Sequence, residues 1–184
     1  IRGIAFEDLT EEVVFALGKA LGTESINRKQ DNFIIGRDGR VSSPQLFEWV
    51  SQGVLSTGCN VIDIGVVPSP VFYHSTFSLN SSNGVVITGS HNPANYNGFK
   101  ILFDNNSTSS EEIQFIKRRV KEKDFLSGKG NIKSLDVIED YIKEVTNNIK
   151  LKRPLNISID CGNGAAGVVA ERIYKSLGCQ VQAL

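Results

Sequence analysis

The feature that most constrains the fold is a regular alternation of short apolar runs with segments of helical periodicity. Residues 33–36, 60–67, 84–88 and 98–103 have the length and the apolar composition of buried strands. Segments whose apolar residues recur at helical spacing separate most of these runs. Strands that alternate with helices predict a largely parallel or mixed sheet with helices on both faces. We therefore expect an α/β protein whose main domain is a three-layer α/β/α sandwich.

Four helices are predicted in the first two thirds of the chain. Thr10 is a candidate N-cap for a helix over residues 10–21, with two acidic residues in its first turn. Ser43 is expected to cap a second helix with Pro44 at its first position. A third helix is predicted over residues 69–79, and a charged fourth helix opens at residues 109–112. The helices and strands together provide enough apolar residues for one independent core.

The last fifty or so residues predict a second unit. Residues 126–134 are polar and glycine-rich and are interpreted as a connection. A helix over 135–149, a strand over 155–160, a helix over 165–177 and a strand over 179–184 are expected to follow. The predicted domains are residues 1–134 and residues 135–184, the latter being the start of a second, similar domain. We also expect the chain to be part of a longer protein.

The bulk composition excludes several classes of partner. Lys and Arg number 20, as do Asp and Glu, so the net charge of zero disfavours a nucleic-acid or anionic-membrane partner. No apolar run approaches the roughly 18 residues of a membrane span. The 3 cysteines, Cys59, Cys161 and Cys179, match no disulfide framework or zinc pattern and are expected to be buried thiols. A reducing, cytoplasmic location is the expectation that follows.

The main chemical candidate is the loop after the third strand, which reads Thr-Gly-Ser-His-Asn-Pro over residues 88–93. A serine on a tight loop at a strand end is placed to be a nucleophile, a phosphate carrier or a phosphate ligand. Acyl transfer is disfavoured because no G-x-S-x-G elbow is present. A phosphorylated Ser90 fits better: its added charge of roughly −1.5 to −2 would be offset by loop amides, Lys100 and Arg2. His91, beside Ser90, is a candidate ligand or catalytic group.

Three further features have both a functional and a structural interpretation. Residues 162–167 fit the dinucleotide pattern G-x-G-x-x-G, but no acidic residue follows about 20 positions later, so a tight βα turn is favoured. Residues 36–40, Gly-Arg-Asp-Gly-Arg, fit either an arginine pair facing a phosphate or, as we favour, an Arg–Asp turn with Gly39 at positive φ. His74, among apolar neighbours, is interpreted as a structural histidine.

The serine loop and the Tyr-Asn-Gly-Phe-Lys-Ile segment at residues 96–101 resemble the phosphoserine loop of the α-D-phosphohexomutase superfamily. Gly89 and the 96–100 segment are most similar to the bacterial phosphomannomutase/phosphoglucomutase branch. Phosphoglucosamine mutases usually carry Ala before the serine. The segments at residues 1–3, 36–40 and 160–165 agree with the resemblance in the same order along the chain.

The resemblance implies roles for particular residues. Ser90 would be the phosphoserine, Arg2 and Lys100 would lie beside the reacting phosphate, and His91 would help to shape the loop. Arg2, Lys100 and Asn97 are the expected substrate-binding residues. Mg²⁺ would bind the phosphate of Ser90 together with a three-aspartate loop that this chain lacks. Glucose 1,6-bisphosphate would be the activator and intermediate, and the missing domains of the same enzyme would complete the site.

The function implied is the interconversion of hexose 1-phosphate and hexose 6-phosphate, with mannose or glucose as the sugar, through a phosphoserine enzyme. The expected partner is a phosphosugar, and this chain is expected to be an incomplete, inactive part of the mutase. Two alternatives stay open. One is a phosphoglucosamine mutase of the same superfamily, and the other is a non-catalytic nucleotide-binding α/β module, suggested by residues 162–167.

Overall fold

A computed structural model describes all 184 residues of the chain. The elements are, in order, β1 (Arg2–Ile4), α1 (Glu11–Asn27), β2 (Asn32–Arg37), α2 (Ser43–Leu55), β3 (Asn60–Val66), α3 (Ser69–Ser78), β4 (Gly84–Ile87), β5 (Tyr96–Phe103), β6 (Asn106–Ser107), α4 (Ser110–Glu122), β7 (Ile132–Ser134), α5 (Ile138–Asn148), β8 (Asn156–Ile159), a 3₁₀ segment (Ala165–Val168), α6 (Ala170–Ser176) and β9 (Gln180–Ala183). None of the helices has both the length and the apolar character that crossing a membrane requires.

Seven strands form one mixed sheet in the order β1-β5-β4-β2-β3-β7, with β6 paired to β5. Strand β2 lies between β3 and β4 and runs parallel to both. Strand β5 is antiparallel to β4 and to β1. The chain therefore leaves β2 toward one side to make β3 and then crosses to the other side to make β4. Strands β8 and β9 form a separate parallel pair.

Alternate residues of the strands point to opposite faces of the large sheet, and each face carries its own hydrophobic core. Phe33 and Ile35 of β2 point into a cluster that includes residues of α1, α2 and α4. Ile34, between them, belongs to a cluster formed with α3 and α5. All three side chains are fully buried, and each such burial contributes roughly 1.5–3 kcal/mol. The three-layer α/β/α arrangement predicted from the alternation of elements is confirmed.

Helices α1 and α2 approach each other so closely that their backbones touch. A Cβ at Gly18 would lie 2.3 Å from the Val50 carbonyl oxygen, and a Cβ at Gly53 would lie 2.3 Å from the Phe15 carbonyl oxygen. Both distances are shorter than a non-bonded contact between carbon and oxygen can be. Helix α1 continues past its predicted end because Gly22 packs in the same way against Val54 and Thr57 of the α2 region. Tertiary packing here outweighs the low helix propensity of glycine.

The structure corrects several predicted elements. Ile132–Ser134, interpreted as part of a connection, is a strand that pairs with β3. Ser43 does not cap α2, because its hydroxyl donates instead to Asp38 at 2.6 Å. The predicted helix over 165–177 begins as a 3₁₀ segment that contains Gly167, a poor helix former. Strands β1 and β6 are too short to show a period in sequence.

Candidate functional site

Loops from the carboxyl ends of β2, β3 and β4 converge on one cleft of about 550 Å³. These loops contribute to its lining residues 38–40, residues 67–69, and Thr88, Ser90, Asn92 and Ala94. Strands β3 and β4 lie on opposite sides of β2, so the order of the strands in the sheet reverses at β2. The cleft therefore lies at a topological switch point, where open α/β sheets bind their ligands. The opposite wall comes from the second unit through residues 162–166.

Ser90 occupies this cleft in an uncommon backbone conformation. Its φ is +54°, in the left-handed region that non-glycine residues rarely adopt. Such a conformation costs roughly 1–3 kcal/mol and persists only where surrounding contacts impose it. One of these contacts is local, since Ser90 N donates to Thr88 Oγ1 at 2.9 Å, and the other comes from the loop after β2, where Asp38 Oδ2 accepts from Gly89 N at 3.1 Å. The side chain of Ser90 is exposed to the cleft.

His91 lies next to the serine hydroxyl, as its position in the sequence suggests. Its Nδ1 is 3.4 Å from Ser90 Oγ, a long distance for a hydrogen bond between these atoms. Which of the two atoms donates depends on the imidazole tautomer. The His91 side chain is also exposed, so it is available both to the hydroxyl and to a group attached to it.

Arg2 reaches the same loop from the edge of the sheet. Strand β1 pairs with β5 so that Arg2 lies opposite Gly98. With its amide oxygen turned toward the guanidinium, Asn92 accepts from Arg2 Nη1 at 2.9 Å and from Nε at 2.8 Å. Arg2 is otherwise exposed. The structure therefore places a cation beside the serine loop from a residue nearly ninety positions earlier in sequence.

Lys100 approaches the cleft from below the loop. It lies on β5 opposite Val86 of β4, on the sheet face that carries α3. Its Nζ is 3.4 Å from the hydroxyl of Ser69, a residue of the cleft lining at the start of α3. The half-buried ammonium group thus lies beside the cleft lining through Ser69 and does not contact Ser90.

Asn97, which is expected to bind substrate, lies in the protein interior and not in the cleft lining. It is fully buried. Its Nδ2 donates to Ser42 Oγ and Ser43 Oγ, each at 2.9 Å, and its Oδ1 accepts from Gly98 N at 2.8 Å. Both amide hydrogens are used inside the protein, so the Asn97 side chain ties β5 to the start of α2 and does not line the cleft.

The two arginines of the 36–40 segment have separate structural partners. Arg37 pairs with Asp63 at 2.7 Å and stacks on the Phe47 ring. Arg40 turns to the serine loop, with its Nε 3.3 Å from Asp38 Oδ2. The Arg–Asp turn that we favoured is present, since Asp38 Oδ1 also accepts from Arg40 N at 3.1 Å. Gly39, however, does not have the positive φ that we expected.

The wall from the second unit is a tight turn. Gly162 and Asn163 have φ of +53° and +55°, and Asp160 Oδ1 accepts from Gly162 N at 2.8 Å. The next residues form a 3₁₀ segment rather than the first turn of an α-helix, and β9 carries no acidic residue. A dinucleotide site needs both features, so the βα-turn interpretation is the better one.

The site residues that sequence reasoning missed are those that act through the backbone or from a distance. Asp38 was interpreted only as part of an Arg–Asp turn and Ser69 only as the start of a helix, although each follows a predicted strand at the same edge of the sheet. No group of three or more His, Cys, Asp or Glu side chains could hold a metal ion. The donor set of this chain therefore does not form a metal centre by itself.

The fold and this geometry define a class: an α/β/α protein that presents a serine at the switch point of a mixed sheet. A family model described as phosphoglucomutase/phosphomannomutase, alpha/beta/alpha domain I, matches residues 1–127. The chain belongs to the phosphoglucomutase/phosphomannomutase family.

Relatives are similar along the whole chain. A phosphomannomutase/phosphoglucomutase of Pseudomonas aeruginosa is 40% identical over 181 residues, which are 98% of this chain and 39% of the relative. A phosphoglucomutase of Neisseria meningitidis serogroup B is 38% identical over 186 residues, covering 100% of this chain and 40% of the relative. The chain thus spans about 40% of the length of these relatives.

A solved structure gives the same result. The crystal structure of a phosphoglucomutase/phosphomannomutase family protein from Burkholderia thailandensis is 34% identical and has a TM-score of 0.93. The match covers 100% of this chain and 42% of the Burkholderia chain. A phosphomannomutase-like structure from Thermus thermophilus, 23% identical with a TM-score of 0.85, shares the fold.

Proposed function

We propose that the full protein interconverts hexose 1-phosphate and hexose 6-phosphate through a phosphoserine at Ser90 and a hexose 1,6-bisphosphate. The observation that carries the proposal is the Ser90 side chain itself. Its backbone is held in a left-handed conformation at the switch-point cleft, His91 lies beside its hydroxyl, and the cation Arg2 contacts Asn92 of the same loop. Phosphoryl transfer depends mainly on positioning and charge stabilisation, which is what these neighbours supply.

In the first half-reaction, the bond between phosphorus and Ser90 Oγ breaks while a bond to the free sugar hydroxyl forms. The sugar hydroxyl loses a proton, and the serine oxygen gains one. His91, with Nδ1 3.4 Å from Oγ, is placed to exchange that proton. Arg2 and Lys100 flank the loop and stabilise the phosphate charge. The second half-reaction returns the other phosphate of the bisphosphate to Ser90 by the same steps in reverse.

The remaining elements of the proposal lie outside this chain. Mg²⁺ would stabilise the charge of the transferred phosphate, held by the phosphate of Ser90 and an aspartate loop of another domain. Glucose 1,6-bisphosphate would load Ser90. A cytoplasmic location fits an enzyme acting on phosphosugars. None of these requires a group from the residues described here other than Ser90.

The contact of Gly89 with Arg40 favours the mannose/glucose branch over phosphoglucosamine mutase. A Cβ at Gly89 would lie 2.3 Å from Arg40 Cζ, so an alanine there would have to displace the guanidinium. The observed packing is thus matched to the glycine that the mannose/glucose branch carries. The names of the relatives agree with this choice.

The test uses the full-length protein that contains this chain. Intact-mass analysis and peptide mapping of protein isolated from cells should place one phosphate on Ser90. A coupled assay with glucose 1-phosphate or mannose 1-phosphate should show activity that Ser90→Ala abolishes. Ser107→Ala, an exposed serine on β6, is the matched control and should keep full activity. Phosphate on another residue, or an active Ser90→Ala protein, would refute the proposal.

A further inference from the structure

The guanidinium of Arg40 is surrounded by backbone carbonyl groups of the serine loop. Its Nη1 donates to Pro93 O at 2.6 Å and to Tyr96 O at 3.0 Å. Its Nη2 donates to Asn92 O at 2.7 Å and to Ser90 O at 3.2 Å. Four carbonyl groups from a seven-residue stretch of the loop therefore converge on one cation.

Four of the five N–H donors of Arg40 make hydrogen bonds within the protein. A guanidinium has five N–H groups and no acceptor. Four contact the loop carbonyls, and the fifth, on Nε, faces Asp38 Oδ2 at 3.3 Å. The side chain is only 17% exposed. Arg40 lines the cleft, but its four Nη hydrogens are engaged by the loop carbonyls, and only the Nε–H beside Asp38 makes no hydrogen bond.

The loop has little backbone bonding of its own to hold its shape. Within it, Asn92 N donates to Gly89 O and Tyr96 N donates to Pro93 O, each at 3.0 Å. The carbonyls that Arg40 gathers would otherwise repel one another or face water. One of them is the carbonyl of Ser90, so the peptide group that follows the left-handed residue is fixed directly by Arg40.

We infer that Arg40 is a positioning residue, which holds the serine loop closed around its guanidinium so that Ser90 Oγ points into the cleft. The inference rests on the proposed function for its catalytic consequence, but its structural part does not. Arg40 acts through the loop and does not contact the sugar or the phosphate. Lysine cannot replace it, because an ammonium group has three donors on one atom and cannot span four carbonyls.

The experiment compares Arg40→Lys and Arg40→Ala in the full-length protein with Arg37→Lys as the control. Arg37 lies on the same segment but pairs with Asp63 and does not contact the loop. Both Arg40 variants should lower kcat by about 10²-fold, the usual effect of a displacement near 1 Å, with KM changed by less than about threefold. Millimolar guanidinium ion should partly restore kcat in Arg40→Ala only.

Hydrogen exchange measures how firmly Arg40 holds the serine loop, independently of enzyme activity. In peptides that cover residues 90–97, amide exchange should be about tenfold faster in Arg40→Lys than in the wild type or in Arg37→Lys. Unchanged exchange and kcat in Arg40→Lys would overturn the inference. A large rise in KM at constant kcat would also overturn it, because Arg40 would then bind substrate. A wild-type protein without mutase activity would refute the proposed function, and the exchange data would still decide the role of Arg40.

Discussion

The ammonium group of Lys100 lies 3.4 Å from the hydroxyl of Ser69, a residue that lines the cleft. The pair links β5 to the first residue of α3. Because a hydroxyl is a neutral partner, it leaves the charge of Lys100 uncompensated and available to an anion in the cleft.

Lys100→Ala in the full-length protein should therefore lower kcat more than it raises KM. The charge matters most when phosphate charge redistributes in the transition state, and loss of one such contact commonly costs on the order of 10²–10³ in rate. Steady-state kinetics with glucose 1-phosphate measures this, with Ser69→Ala as a variant that removes only the neutral partner. Wild-type kcat with a weakened KM would show that Lys100 only holds substrate.

The three thiols should differ in reactivity. Burial raises the pKa of Cys59 to about 11, and Cys179 is also buried, whereas Cys161 is partly exposed beside the cleft wall. The expectation that all three are buried is thus wrong for Cys161. At pH 8 iodoacetamide should modify Cys161 first and leave Cys59 unmodified until the protein unfolds, since the thiolate is the reactive form. Peptide mass spectrometry at successive times measures the labelling of each cysteine, and early labelling of Cys59 would contradict the prediction.

Glu112 should make stability depend on pH at the start of α4. Hydrogen bonding from the Ser109 N–H and pairing with Arg28 lower the pKa of Glu112 below its usual 4.5. A lowered folded-state pKa stabilises the protein above the unfolded value, and this stabilisation disappears as the pH falls through the folded value. Glu112→Ala should cost about 1 kcal/mol at pH 7, the usual value of a lost cap, and less at pH 3.5.

Urea unfolding at the two pH values measures this difference. Glu111→Ala is the matched control, since Glu111 is an exposed acid in the same first turn. An equal loss of stability at both pH values for Glu112→Ala would mean that packing, and not the carboxylate, is responsible.

The contact between α1 and α2 should not tolerate a methyl group. Gly53→Ala would place Cβ 2.3 Å from the Phe15 carbonyl oxygen, so the helices must separate, at a cost of roughly 1–3 kcal/mol for overpacking. At Gly39 nothing lies within 4 Å of the added Cβ, and Gly39→Ala should leave the unfolding free energy nearly unchanged. Thermal unfolding of the two variants compares them, and similar melting temperatures would count against the close contact.

The 184-residue chain by itself should fold at least through residue 125 but show no mutase activity. Its large sheet is covered on one face by α1, α2 and α4 and on the other by α3 and α5, while the groups that would hold Mg²⁺ and the sugar are not in this chain. Positioning supplies much of the rate of phosphoryl transfer, so a site without those contacts should not turn over. Incubation with glucose 1-phosphate, Mg²⁺ and glucose 1,6-bisphosphate tests this, and turnover like that of a full-length mutase would show that the site is misplaced.

The alternation of elements and the serine loop were predictable because each depends on residues that are close together in the sequence. Phe33, Ile34 and Ile35 form an apolar run that only a strand buried on both faces accommodates. Ser90 and His91 are neighbours in sequence, so both were recognisable as parts of one loop, although adjacent residues rarely turn their side chains toward each other and the 3.4 Å approach of the two side chains was not expected. Strand β7, in contrast, is a strand only because β3 offers it an edge, and no periodicity over three residues records that.

The role of Arg40 could not be predicted, because it depends on where carbonyl groups some fifty residues away point. The same holds for Asn97, whose partners Ser42 and Ser43 lie on another element. Side chains that bind backbone leave no signature in the residue types of their partners. Pairings between distant carbonyls and a single guanidinium become visible only in three dimensions.

The left-handed backbone of Ser90 has a consequence for any group that is attached and removed repeatedly. The unfavourable φ of +54° is already present in the unmodified chain, and the side chain is exposed, so loading or unloading Oγ needs no backbone transition. The energy of that conformation is supplied once, when the chain folds, and is not supplied again in each cycle. Under the proposed function, Ser90 would therefore be a stationary attachment point, and the sugar, not the loop, would have to turn around between the two transfers.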